Sequence, residues 1–172
     1  MATQSDWQKL RYFKPNSKID NWGDPSAISP YLLFRLDDFR HYLGTPIVVT
    51  RGVAVSGHAT RSFHYKENGS CAVDVIIPGY DKSPYDLIID ATRFGFTGIG
   101  LYMHWKYKGE ITGGLHLDTR PLKWEKDETL NFKHSRWLGV LDASGKQVYK
   151  ELSFVNIMKY WDQLQGHKEG LN

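Results

Sequence analysis

The sequence predicts a single α+β domain, and three observations carry that expectation. Two segments, near residues 29–44 and 83–95, show helical apolar spacing between a Ser-Pro start and a glycine stop. Ala72 to Ile77 is a short apolar, β-branched run ending at Pro78-Gly79, the pattern of a buried strand. Two further stretches, 98–119 and 137–149, read as hairpins about turn residues. At 172 residues, with 41% hydrophobic and 14% aromatic content, the chain is long enough for one core of ordinary size.

In chain order, Met1 to Asp20 is polar with scattered aromatics and is expected to drape over the domain, and Asn21 to Pro25 is a turn cluster. Ser29 then caps a helix with Pro30 at its first position. Leu32, Leu36, Phe39 and Leu43 follow at helical spacing until Gly44 stops the run. Ile47 to Thr50 reads as a strand that delivers Arg51 to its end. A second helix starts at Ser83, where Asp86 answers the cap three positions on, and ends at Gly95. Gly98 to Trp105 and Thr112 to Thr119 pair around Lys108-Gly109-Glu110. A three-residue loop there sets Tyr102 opposite His116, and a two-residue loop shifts the register by one. Beyond Trp124 come a hairpin from Trp137 to Tyr149 around Asp142-Ala143-Ser144-Gly145, and an amphipathic helix from about Phe154 to Leu164.

Asp74 stands in the middle of the apolar run. A lone carboxylate there loses hydration that Val and Ile cannot replace, so it is expected to be paired, hydrogen-bonded or bound to metal. On the later strand, side chains alternate, placing Thr112, Gly114, His116 and Asp118 on one face and Leu115 and Leu117 on the other. With His64, these segments offer two imidazoles and a carboxylate. A hydrolytic zinc site takes three such ligands in tetrahedral array and leaves the fourth position to a water whose pKa the metal lowers to about 7.

Four motifs run through this region: Ser62-Phe63-His64, Ala72-Val73-Asp74-Val75, Gly98-Ile99-Gly100-Leu101-Tyr102 and Leu115-His116-Leu117-Asp118. Together they resemble the zinc D-Ala-D-Ala carboxypeptidases and phage L-alanyl-D-glutamate endopeptidases, which share the hedgehog/DD-peptidase fold. The resemblance runs from about Ser29 to Trp124. It implies a small antiparallel sheet that holds the site, with helices packed against it. It further implies Zn2+ on His64, Asp74 and His116, and hydrolysis of an amide bond in a peptidoglycan stem peptide. Residues 29–124 would then be the zinc peptidase-like core of one domain spanning 1–172, with 125–172 as a C-terminal hairpin and helix extension. The protein is expected to be a monomer.

Two departures from the family pattern bear on mechanism. The family places the zinc Asp seven residues after the zinc His, whereas the interval from His64 to Asp74 is ten, with Lys66-Glu67-Asn68 as extra loop. Such an insertion costs little. Many members also carry Glu or Asp three residues before the second zinc His, where this chain has Gly113. Asp118, roughly 7 Å along the strand from His116, is the candidate proton shuttle, and orienting an imidazole is its other available role. Glu110, six residues before His116, is roughly 20 Å away on an extended strand. Gly113 also leaves room for a second expectation, a non-catalytic wall-binding or phage structural module that keeps the fold and the zinc.

Arg51 lies where relatives keep an Arg that binds the substrate carboxylate, and Arg61 competes for that role. Tyr102 is a candidate hydrogen-bond donor to the substrate or a packed strand aromatic. His58 and His104 either flank the cleft or are solvated, and His41, His134 and His167 fit no motif. Cys71, the only cysteine, excludes an internal disulfide and reads as a packed thiol.

Net charge is +3, with 22 basic residues scattered among 19 acidic ones. That balance suits an anionic cell wall and is too dispersed for nucleic acid. No basic segment leading into an apolar stretch opens the chain, and no run reaches the length of a membrane span. The expectation is a protein made in the cytoplasm without a signal peptide. It would act at the cell wall or periplasm after release or export, or be carried in a virion.

Overall fold

The computed structural model describes residues 1–54, 62–65, 69–80, 82–120, 135–161 and 163. The chain is α+β, with a mixed six-stranded sheet, a two-stranded ribbon and four α-helices among the described residues. The helices are α1 (Gln4–Gln8), α2 (Pro30–Leu43), α3 (Pro84–Arg93) and α4 (Phe154–Lys159). The strands of the large sheet are β1 (Val48–Arg51), β2 (Ala72–Ile76), β3 (Gly98–Tyr102), β6 (Gly114–Asp118), β7 (Ser135–Leu141) and β8 (Gln147–Glu151). β4 (Lys106–Tyr107) and β5 (Glu110–Ile111) form the ribbon.

Both long helices begin and end where local chemistry demands. Pro30 and Pro84 occupy first-turn positions that need no N–H partner, and the Ser83 hydroxyl accepts from the Asp86 N–H. Gly44 closes α2 at φ 64°, a left-handed conformation that glycine adopts without steric cost. The buried face of α2 carries Leu32, Leu33, Leu36 and Phe39, and that of α3 carries Leu87, Ile88 and Ala91. The amino-terminal stretch is more ordered than its polarity suggests. Thr3 and Asp6 form a capping box that starts α1, and Trp7 and Phe13 wedge edge-on against Trp22 at 5.0 and 5.5 Å.

The sheet order is β1-β2-β6-β3-β7-β8. Every neighbouring pair is antiparallel except β3 and β7, which run parallel, so the sheet is mixed and not the antiparallel one expected. The reason lies in where the chain leaves β6. Asp118, at the end of β6, and Ser135, at the start of β7, both pair with Gly98 at the start of β3. A chain that leaves and re-enters at the same end of β3 can only run alongside it.

The β3–β6 register also differs from both expectations. Gly100 lies opposite His116 and Tyr102 opposite Gly114. The turn is tight, with Tyr107 paired to Glu110, but three residues (103–105) connect β3 to the ribbon and only two (112–113) connect the ribbon to β6. The Trp105 carbonyl accepts from the N–H groups of both Thr112 and Gly113, and the extra residue between β3 and the ribbon offsets the register by one. The C-terminal hairpin forms as expected, and the last helix spans Phe154–Lys159, while Leu164, where it was expected to end, lies outside the described residues.

Alternation divides the sheet into two chemically different faces. Val73, Val75, Ile99, Leu101, Leu115, Leu117, Leu138 and Val140 join the helices in one hydrophobic cluster. Asp74, His116 and Asp118 occupy the intervening positions. Leu36 sits fully buried in the cluster, so Leu36→Ala should lower unfolding free energy by about 2–5 kcal/mol in chemical denaturation. An Ala substitution at Ile19, which is 65% exposed, should change it by less than about 0.5 kcal/mol.

Candidate metal centre

His64, Asp74 and His116 converge although they come from a loop and two strands. β2 and β6 set Asp74 directly opposite His116, and His64 reaches over them from the segment ahead of β2. The loop around His64 is tied down by backbone hydrogen bonds, Ala54 N–H to the His64 carbonyl at 2.7 Å and Cys71 N–H to the Phe63 carbonyl at 3.0 Å. His116 Nδ1 lies 2.9 Å from Asp74 Oδ1, His64 Nε2 lies 3.3 Å from that oxygen, and the two nitrogens are 3.2 Å apart. Metal–ligand bonds of about 2.0–2.1 Å in a tetrahedron separate neighbouring ligands by about 3.3 Å. The three donor atoms therefore already trace one face of a tetrahedral shell, and the residues fit a metal ion.

The other ring nitrogen of each histidine is committed. His64 Nδ1 donates to the Gly52 carbonyl at 2.7 Å, which turns Nε2 toward the centre. His116 Nε2 donates to Asp118 Oδ2 at 2.9 Å, which turns Nδ1 toward the centre. Asp118 is itself fixed: it is fully buried, and Arg120 holds both of its oxygens through the backbone N–H, Nε and Nη2. Arg120 in turn lies over the Phe63 ring at 4.2 Å. Of the two roles the sequence leaves to Asp118, this geometry is that of the orienting acceptor. To carry a proton it would first have to release Arg120.

Glycine makes that arrangement possible. Gly98 is opposite Asp118 in the sheet, and a Cβ there would fall 2.1 Å from Asp118 Oδ2. At Gly100, beside His116, a Cβ would strike the Trp137 indole at 2.3 Å. The Gly-Ile-Gly spacing thus clears the floor under two functional side chains.

Arg51 reaches the site through a bulge. The β1–β2 register slips between Val49 and Arg51, so that Arg51 and not Thr50 pairs with Asp74, and Nη1 comes within 3.4 Å of Asp74 Oδ2. With its side chain 51% exposed, the guanidinium remains at the cleft surface. Tyr102 also lines the cleft. Burial pushes its hydroxyl up to about 12, so it stays protonated at neutral pH. The described lining residues are Arg51, Ser62, Phe63, His64, Asp74, Tyr102, Trp105, His116, Arg120, Trp137, Gln147 and Tyr149, around a space of about 570 Å³. Asp74 is the only carboxylate among them.

Several other candidates lie apart. Glu110 pairs with Tyr107 in the ribbon and does not line the cleft. His41 bonds the Tyr12 hydroxyl on the outside of α2, and His104 Nε2 meets Gln147 Oε1 at 3.0 Å behind the cleft lining. Burial pushes the Cys71 thiol up to about 11, which makes it a poor nucleophile. His58, Arg61, His134, His167 and the Lys66-Glu67-Asn68 insertion fall outside the described residues. Arg120 and Trp137 are among the site residues that sequence reasoning missed, with Trp105, Gln147 and Tyr149. Arg120 follows Asp118 by two positions on an extended segment, a spacing that could have suggested the clamp. Trp137 carries no such local signal.

Electrostatics ties the cluster together in the absence of metal. Burial alone would raise the Asp74 carboxyl, but hydrogen bonds and charge from His116 and His64 outweigh it and hold the group well below the usual range. Burial likewise works against the Asp118 charge, and Arg120 and His116 hold that carboxyl down to about 2. Burial would lower His116, but its contacts with Asp118 and Asp74 raise it above the ordinary imidazole value.

Compared with protein-family models, curated proteins and solved structures, the chain matches none. The fold class and the triad therefore rest on this molecule alone.

Two outcomes follow for metal binding and pH. One divalent metal ion, assayed as Zn2+, should bind per chain, and His64→Ala or His116→Ala should each lose most of it in an elemental assay, while His41→Ala keeps it. Asp118→Asn should weaken binding about 10–100-fold, the usual effect of removing a ligand's hydrogen-bond partner. The metal-free protein should melt highest between about pH 3.8 and 6.5, the ordinary carboxyl and imidazole values. The depressed carboxyls lose their stabilisation as pH falls toward about 2, and the raised His116 loses its own as pH climbs through its folded value. Zinc should remove the alkaline decline, because it takes the place of the proton on His116.

Proposed function

We propose that the chain is a zinc-dependent peptidase of the D-Ala-D-Ala carboxypeptidase and L-alanyl-D-glutamate endopeptidase type, hydrolysing an amide bond in a peptidoglycan stem peptide. The observation that carries this reading is the triangle of His64 Nε2, Asp74 Oδ1 and His116 Nδ1, with edges of 2.9 to 3.3 Å at the foot of an open cleft. The order of the motifs on β2, β3 and β6 supports assignment to the hedgehog/DD-peptidase fold.

When bound, zinc supplies a polarised scissile carbonyl and a water acidic enough to attack it. The protein's own groups do the rest. Asp118 and Arg120 keep the His116 ring from rotating, and the Gly52 carbonyl does the same for His64. Arg51, at the lip beside Asp74, binds a substrate carboxylate, which selects an acidic or C-terminal residue near the cut. The protonated Tyr102 hydroxyl donates to the peptide carbonyl as negative charge develops on it. The half-buried walls of Trp105 and Trp137 restrict water and strengthen these contacts.

A second reading has its own support. Asp74 alone supplies a carboxylate among the described lining residues, and Gly113 stands where many relatives carry the base. A module that holds zinc and binds the wall without cutting it would look the same. Among the described residues no helix is long and apolar enough to cross a membrane.

Digestion of purified peptidoglycan separates the two. The zinc-loaded chain should release stem-peptide fragments identifiable by mass spectrometry, and His116→Ala should release none. Arg51→Ala should raise KM about tenfold or more with zinc content unchanged, the cost of one charge-assisted contact. A wild-type protein with full zinc that leaves walls of several bacterial types intact would overturn the peptidase reading and make the binding module the better one.

A further inference from the structure

One flank of the cleft has a chemistry that metal binding does not require. Tyr102 and Trp105 stack face to face at 4.1 Å with an interplanar angle of 12°. Trp137 sits next to them, 5.0 Å from the His116 ring, and its Nε1 donates to the Tyr102 hydroxyl at 2.9 Å. Tyr149 stands edge-on to Tyr102 at 6.5 Å with 62% of its surface exposed. At the outer end of this flank the Gln147 side-chain amide donates to the Tyr149 hydroxyl at 2.8 Å and its oxygen meets His104 Nε2 at 3.0 Å, while at the inner end Arg120 lies over the Trp137 ring at 5.7 Å.

The platform is rigid, because the rings lie directly on glycine backbone. A Cβ would meet Trp137 at Gly100 within 2.3 Å, Trp105 at Gly114 within 2.4 Å and Tyr102 at Gly139 within 2.4 Å. Rings supported in this way lose little freedom when a ligand stacks on them. The registers Arg51–Asp74–His116–Gly100–Trp137 place the cationic lip and the aromatic flank on opposite sides of the metal triad. A substrate crossing the triad would thus meet Arg51 at one end and aromatic faces with neutral amide and phenol groups at the other.

We propose that this flank is a sugar subsite, taking an N-acetylated pyranose covalently linked to the peptide that the metal centre cleaves. A pyranose ring presents an apolar C–H face to an aromatic surface and hydroxyl and acetamido groups at its rim, where Gln147 and the phenols can bond them. An apolar amino-acid side chain would call for an enclosed pocket. Here the exposed ring of Tyr149, with the Gln147 amide at its edge, stands beside the half-buried Trp105 and Trp137. Trp137, Gln147 and Tyr149 all come from the β7–β8 hairpin, outside the segment that carries the peptidase-like motifs. The position of the linked peptide rests on the peptidase reading, whereas binding of the sugar does not.

The probe is a peptide-free N-acetylglucosamine tetramer, titrated against the zinc-loaded full chain while tryptophan fluorescence is followed. Saturable quenching is expected, and Tyr149→Ala, at an exposed position, should weaken it about threefold to tenfold. In a cleavage assay, a sugar-linked stem peptide should show a KM about tenfold below that of the same peptide stripped of its sugar. Tyr149→Ala should erase that difference by raising the KM of the sugar-linked peptide to that of the stripped one. Cleavage with equal KM for both peptides and no response to the tetramer would overturn the sugar subsite while leaving the peptidase reading in place. Tetramer binding without any cleavage would uphold the subsite and remove the peptidase reading. Quenching by peptides ending in Phe, with none by the tetramer, would overturn the subsite in favour of an apolar side-chain site.

Discussion

A single buried carboxylate organises this molecule. Asp74 sits mid-strand with almost no exposure, where desolvation opposes its charge. It remains ionised because hydrogen bonds and charge from His116 and His64 outweigh that cost, and Arg51 approaches its other oxygen at 3.4 Å. Removing partners from such a group typically costs several kcal/mol, since the charge is left behind uncompensated. Positioning those partners sets conditions well beyond the site. β6 must lie between β2 and β3, the bulge in β1 must carry Arg51 one place further, and the segment ahead of β2 must fold back over the sheet. A metal ion with two positive charges would relieve the same strain more completely than the protons do.

The polar face of the sheet shows how functional side chains are accommodated on a pleated surface. Strand neighbours ordinarily project outward side by side. Here several of them lie flat, across the neighbouring strand, because that strand offers glycine. Gly98 admits the Asp118 carboxylate, and Gly100 admits the Trp137 indole. Each such glycine gives up packing and conformational restriction of its own strand. The Leu and Val residues of the opposite face, continuous with α2 and α3, make that loss tolerable.

What could be read from the sequence was local. Pro30 and Gly44, or Ser83 and Asp86, announce a helix end within one turn of chain, and α2 and α3 lie where those residues put them. The three residues of the triad were legible because each sits in a short motif. Register was not, because it turns on single inserted residues: the extra one between Tyr102 and Lys106, and the slip before Arg51. Nor was the parallel pairing of β3 with β7, which depends on where the chain returns after residue 120. Arg120 and Trp137 escaped notice for a related reason. Their roles exist only relative to neighbours that the fold supplies, Asp118 and Phe63 for one, Gly100 and Tyr102 for the other.

The parallel alignment of β7 with β3 has a consequence for the order in which the protein is made. All three candidate ligands are synthesised by residue 116, yet β3 would then be an edge strand, its outer row of N–H and C=O groups open to pairing with any other chain. Residues 135–141 close that edge, and residues 147–151 in turn become the new one. The new edge strand reads Gln-Val-Tyr-Lys-Glu, short and charged at its end, which discourages a further strand from adding. On the ribosome, the cleft and the protection of the sheet against self-association would therefore be completed by the same late segment.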